Sequence, residues 1–284
     1  MRYDVACIYK LCVSLMERRK PKIKMKYKIL YFIILTFLIS CKKEKSKIER
    51  QVKIEQIYAQ NDYGIFGGTI DLKIYTDSSY ICKKNENSPN YEKNEIFKGK
   101  CRILNDTINF SPLDFKLINA TKAVIKNNFI EFVDGEFPLR IEIKKNKFNS
   151  KNDLNLDKYK SYAIFTFNNK FHSYLYFDFK SKLIEPYDLK QKELEELHTI
   201  VKKCFSENKT KLRNENDYLK QCITVKNSKN EIEVWIACYC KENNIRNGFK
   251  YSLIDMSDGG NCNVHLKINL TKHTYSELSI SGSA

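Results

Sequence analysis

The sequence predicts a mainly β protein in which an antiparallel β-meander region precedes an α+β region, with one helix on an antiparallel sheet. Residues 52–148 contain many short stretches of alternating apolar and polar residues, with turn-forming residues between them. Only the stretch 188–206 places its apolar residues at helical spacing, and alternating stretches resume after it. With 284 residues, 42 % of them hydrophobic, the chain has room for two ordinary domains with real cores.

The meander region is predicted from strand pairs around tight turns. The stretch 69–75 alternates apolar and polar residues, and 139–143 does the same. Asn105-Asp106 separates two apolar stretches, and 126–128 separates another two. Asn and Asp tolerate the positive φ that such turns need, so we expect hairpins there. The region is predicted to be a small sandwich or a partly open barrel.

The α+β region, 158–284, follows a polar linker at 149–157. A hairpin is predicted between Phe165 and Phe179, and the helix is expected to begin at Asp188 with Gln191 completing a capping box. The strands predicted after the helix span 222–225, 232–240, 251–254, 264–270 and 275–280. One helix followed by such a sheet resembles the cystatin-like arrangement, a topological likeness that carries no function.

The N-terminal part predicts export and lipid anchoring. After Lys26 and Lys28, the 12 residues 29–40 are mostly apolar, which is short for a membrane span but typical of a secretory signal. The run ends in Leu38-Ile39-Ser40-Cys41, which resembles the bacterial lipobox. This resemblance implies that the leader is cut before Cys41 and that the Cys41 thiol carries lipid, such as palmitate. An uncut signal anchor or a chance match is the alternative.

On this interpretation, 25–40 is the signal peptide, 1–24 results from a start codon assigned too early, and 41–51 is a polar tether. The protein is predicted to be anchored in the cell envelope, at the outer membrane, and to face the periplasm or the cell surface.

The charge distribution argues against nucleic acid as a partner. The net charge is +16, but residues 1–50 hold 14 Lys and Arg against 4 acidic residues. The remaining chain carries only +6, with both signs mixed. A nucleic-acid interface needs cations clustered on a folded surface, and here the cluster lies in the leader.

Seven of the 10 cysteines follow the lipobox, an odd number that leaves at least one thiol unpaired within a single chain. An exported chain permits disulfides, and Cys82 and Cys101 are the only candidates in the meander region. One bridge is expected among Cys238, Cys240 and Cys262. A zinc site there is not favoured, because the spacing of these cysteines lacks the pairs usual in zinc modules. Cys204 is interpreted as a core residue of the helix.

The sequence contains no known catalytic or phosphate-binding motif, and we predict no catalytic residue, metal or cofactor. His198 lies beside the apolar stripe of the helix and reads as structural. The stretch Asp255–Asn261 has acids and glycines that suggest a calcium loop, but it lacks the EF-hand spacing and reads as a hairpin connection. A Cys–His pair that meets only in the fold is left open.

The predicted binding face lies on two neighbouring strands of the α+β sheet. Alternation places Trp235 and Tyr239 on one side of the first strand, and His265 and Lys267 on the same side of the second. Aromatic residues beside polar groups are typical of binding surfaces. The alternative is that this face packs against the meander region.

Four segments near the C-terminus carry a further resemblance. They are Glu233–Cys240 (EVWIACYC), Gly259–Cys262 (GGNC), Leu266–Thr271 (LKINLT) and Ser281–Ala284 (SGSA). They resemble the end of a group of uncharacterised lipoproteins and secreted proteins of Bacteroidota. The resemblance covers about the last 100 residues. It implies a shared domain without an assigned activity.

The sequence therefore predicts a lipid-anchored envelope protein that binds an unknown protein or small molecule without catalysis. The first alternative is an immunity-type protein that sequesters a toxin. The second is an envelope hydrolase with a site assembled between the two regions, which requires His172 or His265 beside a carboxylate or thiol in a cleft.

Overall fold

The computed structural model describes residues 53–63, 67–111, 118–148, 154–168, 184–241 and 248–282. Lys53–Ala284 forms one compact unit. The predicted fold class is confirmed, because a meander barrel precedes a second sheet that carries one helix.

Eight antiparallel strands form the barrel, each paired with the next in the chain, and the last pairs with the first. They are β1 (Glu55–Asp62), β2 (Thr69–Tyr75), β3 (Ser79–Ser88), β4 (Tyr91–Leu104), β5 (Thr107–Ser111), β6 (Lys122–Lys126), β7 (Phe129–Phe132) and β8 (Leu139–Asn146). The barrel is closed, whereas the sequence predicted a sandwich or a partly open barrel. Closure needs the long-range pairing of β8 with β1, which no local pattern reports.

The predicted turns are confirmed at two places. Asn105 and Asp106 connect β4 to β5 with φ values of 48° and 62°. Asn127 and Asn128 connect β6 to β7 with φ values of 49° and 63°. Asn and Asp adopt this left-handed region more readily than other side chains, so the residues themselves specify the tight connections.

The barrel has a closed end and an open end. The closed end holds the turns after β2, β4 and β6, and apolar side chains such as Tyr80, Ile108 and Ile125 fill the interior there. The open end holds the connections after β1, β3, β5 and β7. There Asn61 extends the β1–β8 contact, because its Nδ2 donates to the Arg140 carbonyl at 2.7 Å and its Oδ1 accepts from the Glu142 amide at 3.0 Å.

The second sheet has six strands. They are β9 (Tyr162–Thr166), β10 (Glu185–Pro186), β11 (Tyr218–Lys226), β12 (Ile232–Cys240), β13 (Asn263–Asn269) and β14 (Thr274–Ile280). From β10 to β14 the neighbours are antiparallel, while β9 runs parallel to β11 beside β10. The second arm of the hairpin predicted after Phe165 lies outside the described residues.

Helix α1 (Gln191–Glu207) covers one face of this sheet with an apolar stripe that includes Leu194, Leu197 and Val201. The helix is confirmed, but its predicted start is wrong. Lys190 is the N-cap residue, and its amide donates to Glu193 Oε2 at 2.7 Å. Asp188 instead forms an ion pair with Lys126 of the barrel, which removes it from capping.

The barrel and the second sheet meet along β6–β8 and β9. The Thr166 amide donates to Glu131 Oε1 at 2.7 Å, and Lys126 Nζ donates to Thr166 Oγ1 at 3.2 Å. The Arg140 amide donates to the Tyr251 carbonyl at 2.9 Å. These contacts fix the barrel's open end beside the segment that follows β12.

The strand predicted at 251–254 is wrong. A short 3-10 turn, Gly248–Lys250, is followed by irregular chain, in which the only strand-like pairing among the described residues is one isolated bridge between Ser252 and Leu139. The side chain of Gln221 takes the backbone hydrogen bonds that a neighbouring strand would supply, because it donates to the Ser252 carbonyl and accepts from the Ile254 amide.

Among the described residues, no helix has the length and apolar character that a membrane crossing requires.

Candidate functional site

A pocket of about 660 Å³ lies at the open end of the barrel. One part of its wall comes from the ends of β1–β4, and another comes from the chain that leads into β8. The third part comes from Ser252, Leu253 and Asp255, which follow the second sheet's β12. The pocket is therefore assembled from both halves of the fold.

Apolar side chains form much of the pocket wall. Ile70, Phe97, Ile118 and Leu139 belong to the barrel core or pack against it. Phe137 also lines the pocket, yet it is 61 % exposed. An exposed aromatic ring at the rim of an apolar cavity is suited to contact an incoming ligand.

Four charged side chains line the wall formed by the β3–β4 hairpin. Lys84 pairs with Glu86 on β3, and Lys93 Nζ lies 3.0 Å from Glu95 Oε1 on β4. Across the hairpin, Lys84 stands opposite Glu95, and Glu86 stands opposite Lys93. We call these four residues the charge quartet, and each member has opposite charges both along and across the strands.

The segment of the wall that comes from the second sheet is held in place by buried polar contacts. Gln221, 2 % exposed, donates through Nε2 to the carbonyls of Phe249 and Ser252. Tyr239 Oη donates to the Ile254 carbonyl at 2.9 Å. The backbone on both sides of Leu253 is thus anchored, so this part of the pocket is formed before any ligand arrives.

Gly68 brings the β1–β2 connection against the pocket wall. Its φ is +78°, and a Cβ atom there would lie 1.8 Å from the Asn85 carbonyl oxygen. Only glycine permits both the backbone conformation and this approach to β3.

The predicted binding face is covered. Trp235 is 1 % exposed and Tyr239 is 2 % exposed. Trp235 lies in a cluster with Phe249, and Leu253 and Ile254 pack against that cluster. Tyr239 is linked to the same segment by its hydrogen bond to the Ile254 carbonyl. The prediction of an open aromatic face is wrong, because the segment after β12 folds back over the sheet. The alternative, packing against the meander region, holds for part of this face, because Arg140 of the barrel stacks on Phe165 of the same cluster.

The two polar residues of that face have separate environments. His265 is half-buried near the Tyr239 ring, and burial lowers its pKa. Lys267 Nζ lies 3.4 Å from Glu233 Oε2 and 3.5 Å from Glu277 Oε1. Neither residue lines the barrel-mouth pocket.

A second polar cluster lies between α1 and the sheet. Lys220 is fully buried, and its Nζ lies 2.5 Å from Glu215 Oε1 and 5.0 Å from the centre of the Tyr162 ring. Tyr162 Oη lies 3.0 Å from His198 Nδ1. Burial lowers the pKa of His198 and raises that of Tyr162. The ion pair and the Lys220 bonds to the carbonyls of Glu215 and Tyr218 compensate the buried charges.

Cys240 and Cys262 form a disulfide between the end of β12 and the start of β13, so the predicted bridge in this region is confirmed. Cys238 is free and buried. The Cys82–Cys101 bridge is wrong, because both thiols are free. Cys82 faces Phe97 in the β3–β4 register, which puts Cys101 four residues further along the strand and out of bonding range.

The glycine-rich segment at 255–261 is a structural loop. Asn263 Nδ2 donates to the carbonyls of Met256 and Asp258 at 2.6 and 3.0 Å, so the loop's own side chain occupies these oxygens. Within the described residues, no group of three or more His, Cys, Asp or Glu side chains is arranged to hold a metal ion.

Two predicted sites lie outside the described residues, namely the lipidation site Cys41 and His172. The sequence analysis missed the charge quartet. Its residues occupy the same alternate, inward-facing positions of β3 and β4 as Cys82 and Phe97 do. The change from apolar to charged residues at these positions marks the mouth of the barrel. Comparison of the chain with protein-family models, curated proteins and solved structures finds no match.

Proposed function

We propose that this protein is a lipid-anchored component of the bacterial cell envelope that binds a small apolar ligand in the barrel-mouth pocket. The observation that carries the binding function is the pocket itself, at the open end of a closed barrel. Eight-stranded barrels have an interior that side chains fill or that holds one small ligand. Here side chains fill the closed end, and about 660 Å³ stays open at the mouth.

The composition of the pocket supports binding of a small molecule. Its volume falls in the usual range for ligand sites, roughly 300–1,000 Å³, and its walls are mainly apolar with a few polar groups. The described lining residues include no histidine and no cysteine. The described lining residues therefore do not include a histidine beside a carboxylate or thiol, the pair that the hydrolase alternative requires.

The Cys240–Cys262 disulfide supports the envelope location, since structural disulfides persist in oxidising compartments. The chain also enters the barrel at the end opposite the pocket. Lys53 Nζ lies 3.3 Å from Asp77 Oδ2, beside the turn after β2.

Lipid anchoring is tested by metabolic labelling with a palmitate analogue. The wild-type chain should take up the label, and Cys41→Ala should abolish it. Cys240→Ala/Cys262→Ala is the matched control, because it removes cysteines without touching the lipobox and should keep the label. Equal labelling of wild type and Cys41→Ala would refute the anchor.

Ligand binding is tested with phenylbutanol, a neutral apolar probe, by titration calorimetry on the purified lipidated protein. Phe137→Ala should weaken binding by about 1 kcal/mol, roughly fivefold, because the ring covers the mouth from a largely exposed position. Leu104→Ala removes a side chain of similar exposure at the closed end and should leave the affinity unchanged. Binding that both variants leave unchanged would place the probe elsewhere and refute this site.

A further inference from the structure

The charges of the described residues that line the pocket are not balanced. The charge quartet supplies two ammonium groups and two carboxylates, and these satisfy one another. A charged ligand group that approaches the charge quartet meets an opposite charge and a like charge at similar distance. The quartet thus gives little preference for either sign, although it makes that wall polar.

Asp255 adds one more carboxylate to the pocket lining, in the part of the wall that follows β12. It is exposed, and no ion-pair partner for it occurs among the described residues. The backbone just before it is anchored, because the Ile254 amide donates to Gln221 Oε1 and the Ile254 carbonyl accepts from Tyr239 Oη. Among the described lining residues there is therefore a surplus of one negative charge, and it lies at a fixed place beside the apolar surface.

We propose that the pocket selects an organic cation, a molecule with one ammonium group on an apolar body. This inference rests on the proposed binding function and names its ligand class. The apolar body packs on Phe97, Ile118 and Leu139, and the ammonium group pairs with Asp255. The rings of Tyr63 and Phe137, which also line the pocket, offer faces that attract a cation.

The same geometry disfavours anions. A carboxylate ligand meets three carboxylates, and the two lysines that could receive it are already paired along and across the hairpin. Its binding would break an existing ion pair to form a new one, with no net gain in paired charge.

The experiment compares phenylbutylamine, phenylbutanol and phenylbutyrate, which share one apolar body and differ in charge. The amine should bind roughly three- to fivefold more tightly than the alcohol, as expected for a solvent-accessible ion pair, and the carboxylate should bind least. Raising the salt concentration should reduce the amine's advantage, because salt screens accessible charges.

Asp255→Asn should remove most of the amine's advantage over the alcohol, because the ion pair is lost and only the weaker attraction of the aromatic rings stays. Asp258→Asn is the matched control, since Asp258 is an exposed carboxylate of the same loop outside the pocket lining. Equal binding of amine and alcohol by the wild type, or an amine preference of undiminished size in Asp255→Asn, would refute the cation inference. If the alcohol is still weakened by Phe137→Ala in that case, the proposed binding function stands; if no probe binds, both fall.

Discussion

The guanidinium carbon of Arg140 lies 4.1 Å from the centre of the Phe165 ring, and it lies equally far from the Phe129 ring on its other side. Phe129 belongs to barrel strand β7 and Phe165 to β9 of the second sheet. The planar cation is thus clamped between rings from the two halves of the fold. This arrangement joins the second sheet to the barrel through one buried side chain.

Backbone carbonyls complete the environment of this cation. Arg140 is 1 % exposed, its Nη1 donates to the Ile164 carbonyl at 2.5 Å, and its Nε donates to the Lys250 carbonyl. Burial lowers the pKa of Arg140 to about 10, so the side chain stays charged at neutral pH. Glu131, itself buried, supplies a nearby negative charge.

Arg140→Lys should destabilise the protein by about 3 kcal/mol. Lysine cannot stack between two rings or donate in a fork to two carbonyls, and each desolvated cation–π contact contributes up to about 2 kcal/mol. Urea unfolding should be followed by fluorescence of Trp235, the only tryptophan, and by circular dichroism. Because the clamp couples the halves, the two transitions should separate in the variant and coincide in the wild type.

The control for this substitution is Arg102→Lys, on the exposed outer face of β4. It should change the free energy of unfolding by less than about 0.5 kcal/mol. A loss of similar size in both variants would show that the effect is general to arginine replacement and not due to the clamp.

The buried pair of Lys220 and Glu215 should be far more sensitive to one substitution than to two. Lys220→Met leaves a nearly buried carboxylate unpaired and should cost about 3–5 kcal/mol. Adding Glu215→Gln removes that charge and should recover much of the loss. A double-mutant cycle on the unfolding free energies measures the coupling.

The exposed pair of Lys203 and Glu207 on α1 is the comparison for this cycle. Its side chains are 66 % and 49 % exposed, so Lys203→Met should cost at most about 0.5 kcal/mol. If the Lys220→Met/Glu215→Gln double variant were as unstable as the sum of its single variants, the two charges would not be coupled.

Local chemistry predicted much of the fold. The turns at Asn105-Asp106 and Asn127-Asn128 were predictable because those residues specify the backbone conformation themselves. The sequence placed Cys82 on a strand, but the second half of β3 and the first half of β4 were not predicted, because their inward positions near the mouth are charged instead of apolar. Charged residues that line a pocket interrupt the apolar–polar alternation from which a strand is predicted.

The candidate site was not predictable for a related reason. Alternation assigns Trp235 to one face of β12, but it does not report what covers that face. An irregular segment covers that face, and hydrogen bonds from the Gln221 side chain hold this segment in place. Gln221 reaches these partners only when the strands of the folded sheet are in register. The pocket likewise joins Glu86 to Asp255, residues that only the tertiary fold brings to one cavity.

The Cys240–Cys262 disulfide should stabilise the second sheet by about 3 kcal/mol, the loop-closure value for a sequence separation of 22. Cys240→Ala/Cys262→Ala should lower the melting temperature, and adding a reductant should lower that of the wild type to a similar degree. The double variant should not respond to the reductant. A reductant effect in the double variant would mean that another bridge stabilises the protein.

Acidification should destabilise the protein in part through His198. Burial lowers the pKa of His198 below its ordinary value of 6.5, with Glu215 acting against this shift. As pH falls through 6.5, the unfolded chain binds a proton that the folded chain does not, so stability declines until the folded pKa is passed. His198→Gln should therefore lose less unfolding free energy between pH 7.5 and 5.5, about the range where histidine titrates, than the wild type loses. Thr199→Gln, at the adjacent exposed position of α1, should keep the full wild-type decline. A decline in His198→Gln as steep as in the wild type would assign the acid sensitivity to other groups, of which His265, with its own lowered pKa, is the next to substitute.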